Sequence, residues 1–165
     1  MLKNIENISP LDHESRLDQG DHDAIRLWLR LLTCTNMIEG ALRTRLREAF
    51  GTTLPRFDFM AQLARVPEGL TMGELSRRMM VSGGNVSGIA SQLESEGLIH
   101  RAPLPNNRRT FCVKLSPEGE HRFAEMAEAH EQWVVELLGH LTHDDHQRLM
   151  STLKQVKLGI AESLE

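Results

Sequence analysis

The chain has no tyrosine, and aromatic residues fill only 4% of its 165 positions. Modules for single-stranded nucleic acid lean on exposed rings as stacking platforms, so that class is disfavoured. Cysteine is scarce too: Cys34 and Cys112 stand at no metal-ligand spacing, which argues against a disulfide framework. No apolar run approaches the roughly 18 residues of a membrane span. The opening MLKNIENISPLDHES lacks the apolar stretch of a secretory signal. A cytoplasmic location without a membrane partner is therefore expected. No Ser-His-Asp order, phosphate-binding loop or paired-carboxylate pattern stands out. The expectation is a protein that is not an enzyme and needs no cofactor.

Positive net charge is also lacking, at −4 overall, but the charge is unevenly laid out. Residues 71–115 hold six Lys/Arg against three Asp/Glu, whereas residues 116–165 hold four against ten. A basic segment within an acidic remainder suits a protein that meets phosphate with one face. The length and a hydrophobic content of 40% suffice for one domain with a real core.

The basic segment is TMGELSRRMMVSGGNVSGIASQLESEGLIHRAPLPNNRRTFCVKL. It reads as two short helices, a tight turn between them and a two-stranded hairpin. Thr71 and Glu74 have the spacing of a capping box, and Leu75 and Met79 follow on one face. Ser82 is a second N-cap candidate. After it, Val86, Ala90 and Leu93 recur at i, i+4, i+7 as a buried stripe. The other face carries Asn85, Ser87, Gly88, Ser91 and Gln92, all short and uncharged. Such a helix can enter the major groove, with its first residues at base edges and its N–H groups at phosphate. Gly83 and Gly84 would let the backbone approach the sugar-phosphate chain; the plainer alternative is a flexible turn. Gly97 stops the helix. Strands are expected over Leu98–Arg101 and Thr110–Leu115, around a polar tip from Pro105 to Arg109. Paired arginines at such a tip, Arg108 and Arg109, suit phosphate or the narrow minor groove. The expected DNA-contacting set is Ser82, Gly83, Gly84, Asn85, Ser87, Gly88, Ser91, Arg108 and Arg109.

These residues resemble the MarR family of winged-helix transcriptional regulators. The matching positions are Leu75, Ser82, Asn85, Val86, Ser87, Leu93, Gly97, Leu98, Arg101, Arg108, Arg109, Val113, Leu115 and Gly119. The resemblance covers roughly residues 23–163 and implies a mainly α fold, a winged helix-turn-helix with a helical dimerisation domain. One position departs from the family's habit: Asn107 stands where an acidic residue usually braces the arginine pair.

The rest of the chain fits that frame. Residues 1–21 show no periodicity and read as an N-terminal arm. Residues 22–54 and 116–165 read as dimerisation helices, flanking a winged helix-turn-helix region over 55–115. The first long helix, residues 22–49, begins AIRLWLRLLTCTNMI and is apolar nearly all round, as a helix buried on more than one side would be. Pro55 suits the first turn of the next helix, with Phe57, Met60, Ala61 and Ala64 as its packing face. Ser116 and Pro117 open a long helix that carries Phe123, Met126, Trp133, Val134, Leu137 and Leu141. Thr142 and Asp145 cap a final helix, whose Leu149, Leu153, Val156, Ile160 and Leu164 approach an a/d seam for a homodimer. A palindromic operator in double-stranded DNA follows from such a dimer.

Three kinds of sensing remain to be weighed. His140, His143 and His146 with Asp144 and Asp145 invite a metal reading. The cap required at Thr142 bends that segment, so no metal site is expected. Cys34 lies mid-helix between threonines, without the tyrosines of peroxide-sensing relatives, and a packing role is preferred for both cysteines. The family resemblance implies an effector cleft drawing on Trp28, Leu31, Leu32, Asn36, Met37, Arg56, Phe57 and Met60. An apolar wall with one amide and one guanidinium suits an aromatic ring joined to an anionic group; the plainer reading makes these side chains core or dimer contact. IRLWLRLLTCTNMIEG and TTLPRFDFMAQLAR further resemble the branch that governs degradation of aromatic and hydroxycinnamic acids. That resemblance implies a repressor released by an aromatic acid or aryl-CoA thioester, with Arg30, Arg43, Arg45, Arg47 and Arg56 available to CoA phosphates. The alternatives are a redox- or metal-sensing regulator, or a dimeric interaction module that does not bind DNA.

Overall fold

The computed structural model describes residues 23–104 and 107–164, and the backbone alone at residues 104 and 107–109. The expected arm over 1–21 lies outside the described residues. Helices dominate, joined by a small three-stranded sheet. The chain divides at Leu54/Pro55 into two compact units.

The described part of the first unit is essentially one helix, α1, Asp23–Phe50. Gly51 ends it by donating its N–H to the Arg47 carbonyl at 3.0 Å. Leu42 and Leu46 are buried, while Ile25, Leu27, Trp28, Leu32 and Met37 stay exposed. Most large apolar side chains in the first half of α1 are thus exposed.

The second unit opens within the first turn of α2, Leu54–Ala64. Phe57, Phe59, Met60 and Leu63 are buried on it, whereas Ala64, expected on the packing face, is exposed. The larger Phe59 and Leu63 take the inner positions. Phe57 stacks on Phe123 at 5.6 Å and on His130 at 4.6 Å between ring centroids. Burial pushes the His130 imidazole below its ordinary pKa, which favours the neutral ring.

A two-residue strand, β1 (Leu70–Thr71), precedes α3 (Met72–Met79). Thr71 accepts from the Glu74 N–H at 3.3 Å, and Glu74 accepts from the Thr71 N–H at 2.7 Å, completing the capping box. Hydrogen bonds from the Thr71 hydroxyl and N–H hold the Glu74 carboxyl below the usual range. Next come α4 (Gly83–Ser95), β2 (Ile99–Leu104) and β3 (Asn107–Leu115). The sheet order is β1-β3-β2, antiparallel throughout, with Leu70 opposite Val113 and Arg101 opposite Val113 on the other side. Both hairpin strands run further than the sequence reading expected. β2 continues past the expected Arg101 through Pro103, because it is an edge strand, where a missing N–H is tolerated.

The long helix α5 spans Pro117–Leu138, three residues short of the expected Leu141, and α6 spans His143–Ser163. Ser116 caps α5 by accepting from the Gly119 N–H at 2.9 Å. Thr142 and Asp145 form a second capping box, which holds the Asp145 carboxyl below its ordinary pKa. The core of this unit gathers Leu63, Leu70, Leu75, Val86, Ala90, Leu93, Ile99, Val113 and Met126. α3 packs on α4, α4 on β2, and α5 on β3. No residue of α6 is buried.

Among the described residues, Met80 is the only non-glycine with positive φ, at 55°, and its side chain is 92% exposed. It forms the turn between α3 and α4, where its N–H donates to the Arg77 carbonyl at 3.3 Å. A left-handed backbone costs a residue with a Cβ about 1 kcal/mol. Met80→Gly is expected to stabilise the fold by about that amount and raise Tm by roughly 3 °C. Calorimetry of the two proteins checks this, and an unchanged or lower Tm would contradict it.

Candidate nucleic-acid interface

The interface is built around α4. Val86, Ala90 and Leu93 are fully buried and fix which side of the helix faces the core. Ser82, Gly83, Gly84, Asn85, Ser87, Gly88, Ser91 and Gln92 are all exposed, and none is charged. A Cβ added at Gly83, Gly84 or Gly88 would meet nothing within 4 Å. Internal packing therefore does not require these glycines. They keep the outer surface low, which matters if another molecule approaches it closely.

Ser82 occupies the N-cap position with φ −64° and ψ 150°, but its side chain makes no capping hydrogen bond. The expected cap thus has the right backbone without the bond. First-turn N–H groups without a side-chain cap are left to water or an anion. Arg77 and Arg78, in the last turn of α3, are exposed just before this end. They were not in the expected contact set, although their place beside the turn was visible in the sequence.

Two further residues gain a role that spacing alone did not reveal. Arg101, at the base of the hairpin, donates from Nη2 to the Ser91 hydroxyl at 3.0 Å. Its Nε lies 2.8 Å from the Glu94 carboxylate, an ion pair out of hydrogen-bond alignment. Arg56 of α2 pairs with Glu96 at the end of α4. Ser91, expected at base edges, is exposed and accepts this intrachain hydrogen bond from Arg101. The backbone of Arg108 and Arg109 lies in β3, and their side chains lie outside the described residues.

The expected effector residues fall into both units. On α1, Trp28, Leu32, Asn36 and Met37 are exposed. In the second unit, Phe57 and Met60 are buried, and Arg56 is bound to Glu96. Cys34 is exposed on α1, and Cys112 donates to the Glu68 carbonyl at 3.4 Å. Among the described residues no group of three His, Cys, Asp or Glu could hold a metal ion. Nor is any helix among them long and apolar enough to cross a membrane.

A helix-turn-helix followed by a sheet hairpin, with arginines in the last turn of its first helix and an uncharged N-terminal face on its second, defines a winged-helix DNA-binding protein. Residues 50–110 match the MarR family. The transcriptional activatory protein BadR of Rhodopseudomonas palustris is 30% identical over 148 residues, covering 84% of each chain. A MarR family transcriptional regulator from Silicibacter pomeroyi has a crystal structure that matches with a TM-score of 0.73 and 34% identity. That match covers 89% of this chain and all of that one. A Streptomyces coelicolor MarR family regulator, solved in complex with DNA, shares the fold at a TM-score of 0.75 and 21% identity, over 87% of this chain and 91% of that one. The chain belongs to the MarR family and is a DNA-binding transcriptional regulator of that type.

Proposed function

We propose that the protein is a homodimeric repressor that reads a palindromic operator and is released by an aromatic carboxylate derivative. The observation that carries the DNA-reading part is the exposed, uncharged, glycine-rich face of α4 over a fully buried stripe. In this reading Asn85 and Ser87 meet base edges. Ser82, Gly83, Gly84 and Gly88 admit the backbone of the DNA, and Arg108 and Arg109 reach phosphate or the minor groove. Residues 22–54 and 116–165 serve the dimer, which places two reading heads about one helical turn apart, roughly 10 bp.

The test uses a duplex selected by the protein from a random pool. Arg108→Ala and Arg109→Ala are each expected to weaken binding to every duplex and to flatten the salt dependence by about one unit of slope. Asn85→Ala should instead relax preference at one or two positions and leave the slope alone. Unchanged affinity and slope in both arginine variants would remove the wing from the interface.

Release requires an effector that binds the DNA-incompetent arrangement more tightly than the competent one. The exposed apolar row of α1, with Trp28, Leu32, Asn36 and Met37, supports an aromatic ligand, and Arg56 supports an anionic one. A hydroxycinnamoyl-CoA thioester is the first choice and the free acid the second. The protein–DNA complex should be titrated with p-coumarate, p-coumaroyl-CoA, CoA, hydrogen peroxide and zinc in parallel. Release by the thioester with little effect of CoA alone is expected. Release by the acid that is lost in Arg56→Ala would favour the acid. Release by peroxide that vanishes in Cys34→Ser would replace the ligand reading with a redox one. The name of BadR, a transcriptional activatory protein, favours a second reading in which the same DNA binding activates. Transcription in vitro from the selected site, with and without protein, separates the two.

A further inference from the structure

The reading helix, packed along its length by Val86, Ala90 and Leu93, is gripped by charged side chains at its C-terminal end. Its C-terminal part, from Ser91 to the cap residue Glu96, is engaged by two arginines from two different elements. Arg101 of β2 takes Ser91 and Glu94, and Arg56 of α2 takes Glu96. The arginine side chains are 21% and 16% exposed, whereas the glutamates are about half exposed. The Nε atom of each guanidinium is buried without a hydrogen-bond partner. A guanidinium in such surroundings depends on its anion, because removing the anion leaves an uncompensated charge out of water. At the other end, Ser82 makes no capping bond, and Gly83, Gly84 and Gly88 have open space where a Cβ would be.

We propose that Arg56 and Arg101 are positioning residues for DNA reading: they set the tilt of α4 from its far end and make no phosphate contact themselves. The lever is long enough for this to matter. At 1.5 Å per residue, Asn85 lies about 14 Å along the helix from Glu94. A tilt of about ten degrees moves it by about 2 Å, enough to break a hydrogen bond to a base edge. The pairing has a second effect. Glu94 and Glu96 are the two acids of α4 and its cap, and both are neutralised by these arginines. Their charge is therefore not presented to the phosphates that the first turn approaches. The inference rests on α4 being the reading helix.

The experiment measures a ratio. Wild-type protein selects a duplex from a random pool, and affinity is then measured for that duplex and for a scrambled duplex of equal length across a salt series. The variants are Glu94→Gln, Glu96→Gln, Arg101→Gln and the exchanged pair Arg56→Glu with Glu96→Arg. Far-UV circular dichroism checks each fold, and the glutamate variants decide the question if Arg101→Gln does not fold. Each glutamate variant is expected to weaken the selected duplex roughly tenfold and the scrambled one less than twofold, with the salt slope unchanged. The exchanged pair should recover much of what Glu96→Gln loses. A wild-type ratio in both glutamate variants would overturn the proposal. So would an Arg101→Gln variant that weakens both duplexes equally and lowers the slope by about one, the mark of a phosphate contact. A wild-type protein that selects no duplex would instead refute the reading-helix assignment itself.

Discussion

Leu153→Glu combined with Ile160→Glu is expected to turn the protein into a monomer and to abolish operator binding in the same step. In one chain Leu153 is 45% exposed and Ile160 56%, and Leu149 and Val156 line up with them along α6. No residue of this 21-residue helix is buried. A change from leucine to glutamate at a truly solvated position shifts stability by at most about 0.5 kcal/mol. At a seam between two copies the same change acts four times, twice in each protomer. Each lost side chain forfeits about 2 kcal/mol of burial, and the new carboxylates repel one another. Dimer affinity should fall by at least about a thousandfold. Sedimentation at micromolar concentration reads the assembly, and gel retardation of the selected duplex reads the function. A variant that stays dimeric would move the interface elsewhere. A wild-type protein that is a stable monomer would remove it altogether.

The second large effect is expected from Gly119→Ala. A Cβ built on Gly119 would lie 1.9 Å from the Leu98 carbonyl oxygen and 2.9 Å from its carbon. Both contacts are to backbone, which cannot rotate away. The start of α5 would have to lift by an ångström or more. That movement strains three hydrogen bonds at once. Ser116 N–H donates to the Leu98 carbonyl at 3.0 Å, the Ser116 hydroxyl donates to the Gly97 carbonyl at 2.6 Å, and Gly119 N–H donates to that hydroxyl at 2.9 Å. Overpacking and the loss of the cap together should cost about 3 kcal/mol. Urea unfolding monitored by circular dichroism gives the number, and a wild-type midpoint would refute it. Gly83→Ala is the control. Its Cβ meets nothing within 4 Å, so stability should hold or rise slightly, whereas DNA affinity should drop if that glycine lets the backbone close on phosphate.

The contrast between these two glycines shows where the sequence could be read. The caps at Thr71 and Thr142, the stripe of Val86, Ala90 and Leu93, and the stop at Gly97 are local patterns. Each involves residues within a turn or two, and each is present in the structure. β1 was not legible because two residues carry no periodicity; only its pairing with Cys112 and Val113 makes it a strand. The run of β2 past Arg101 through Pro103 was not legible either, since a strand's place in the sheet decides whether a proline fits, and that place is not a local property. The Arg56–Glu96 pair spans forty residues, and nothing at either position announces the other. Gly119 was visible as a family match, but its physical reason is the Leu98 carbonyl. For the DNA-contacting set, the sequence supplied the uncharged face of α4 and the paired arginines of the hairpin tip, whose side chains lie outside the described residues.

The same Pro103 bears on how the protein behaves when no DNA is bound. The hairpin ends its sheet with β2, whose outer side offers backbone groups to any strand that drifts past. Such open borders are where two copies of a protein can zip together edge to edge and precipitate. Proline has no N–H to give, and the pairing is irregular between Pro103 and Leu104, so the outer rung of β2 is broken close to its exposed end. A reading head can thus stand bare in a crowded cell, ready for its operator, without offering an adhesive rim to its neighbours.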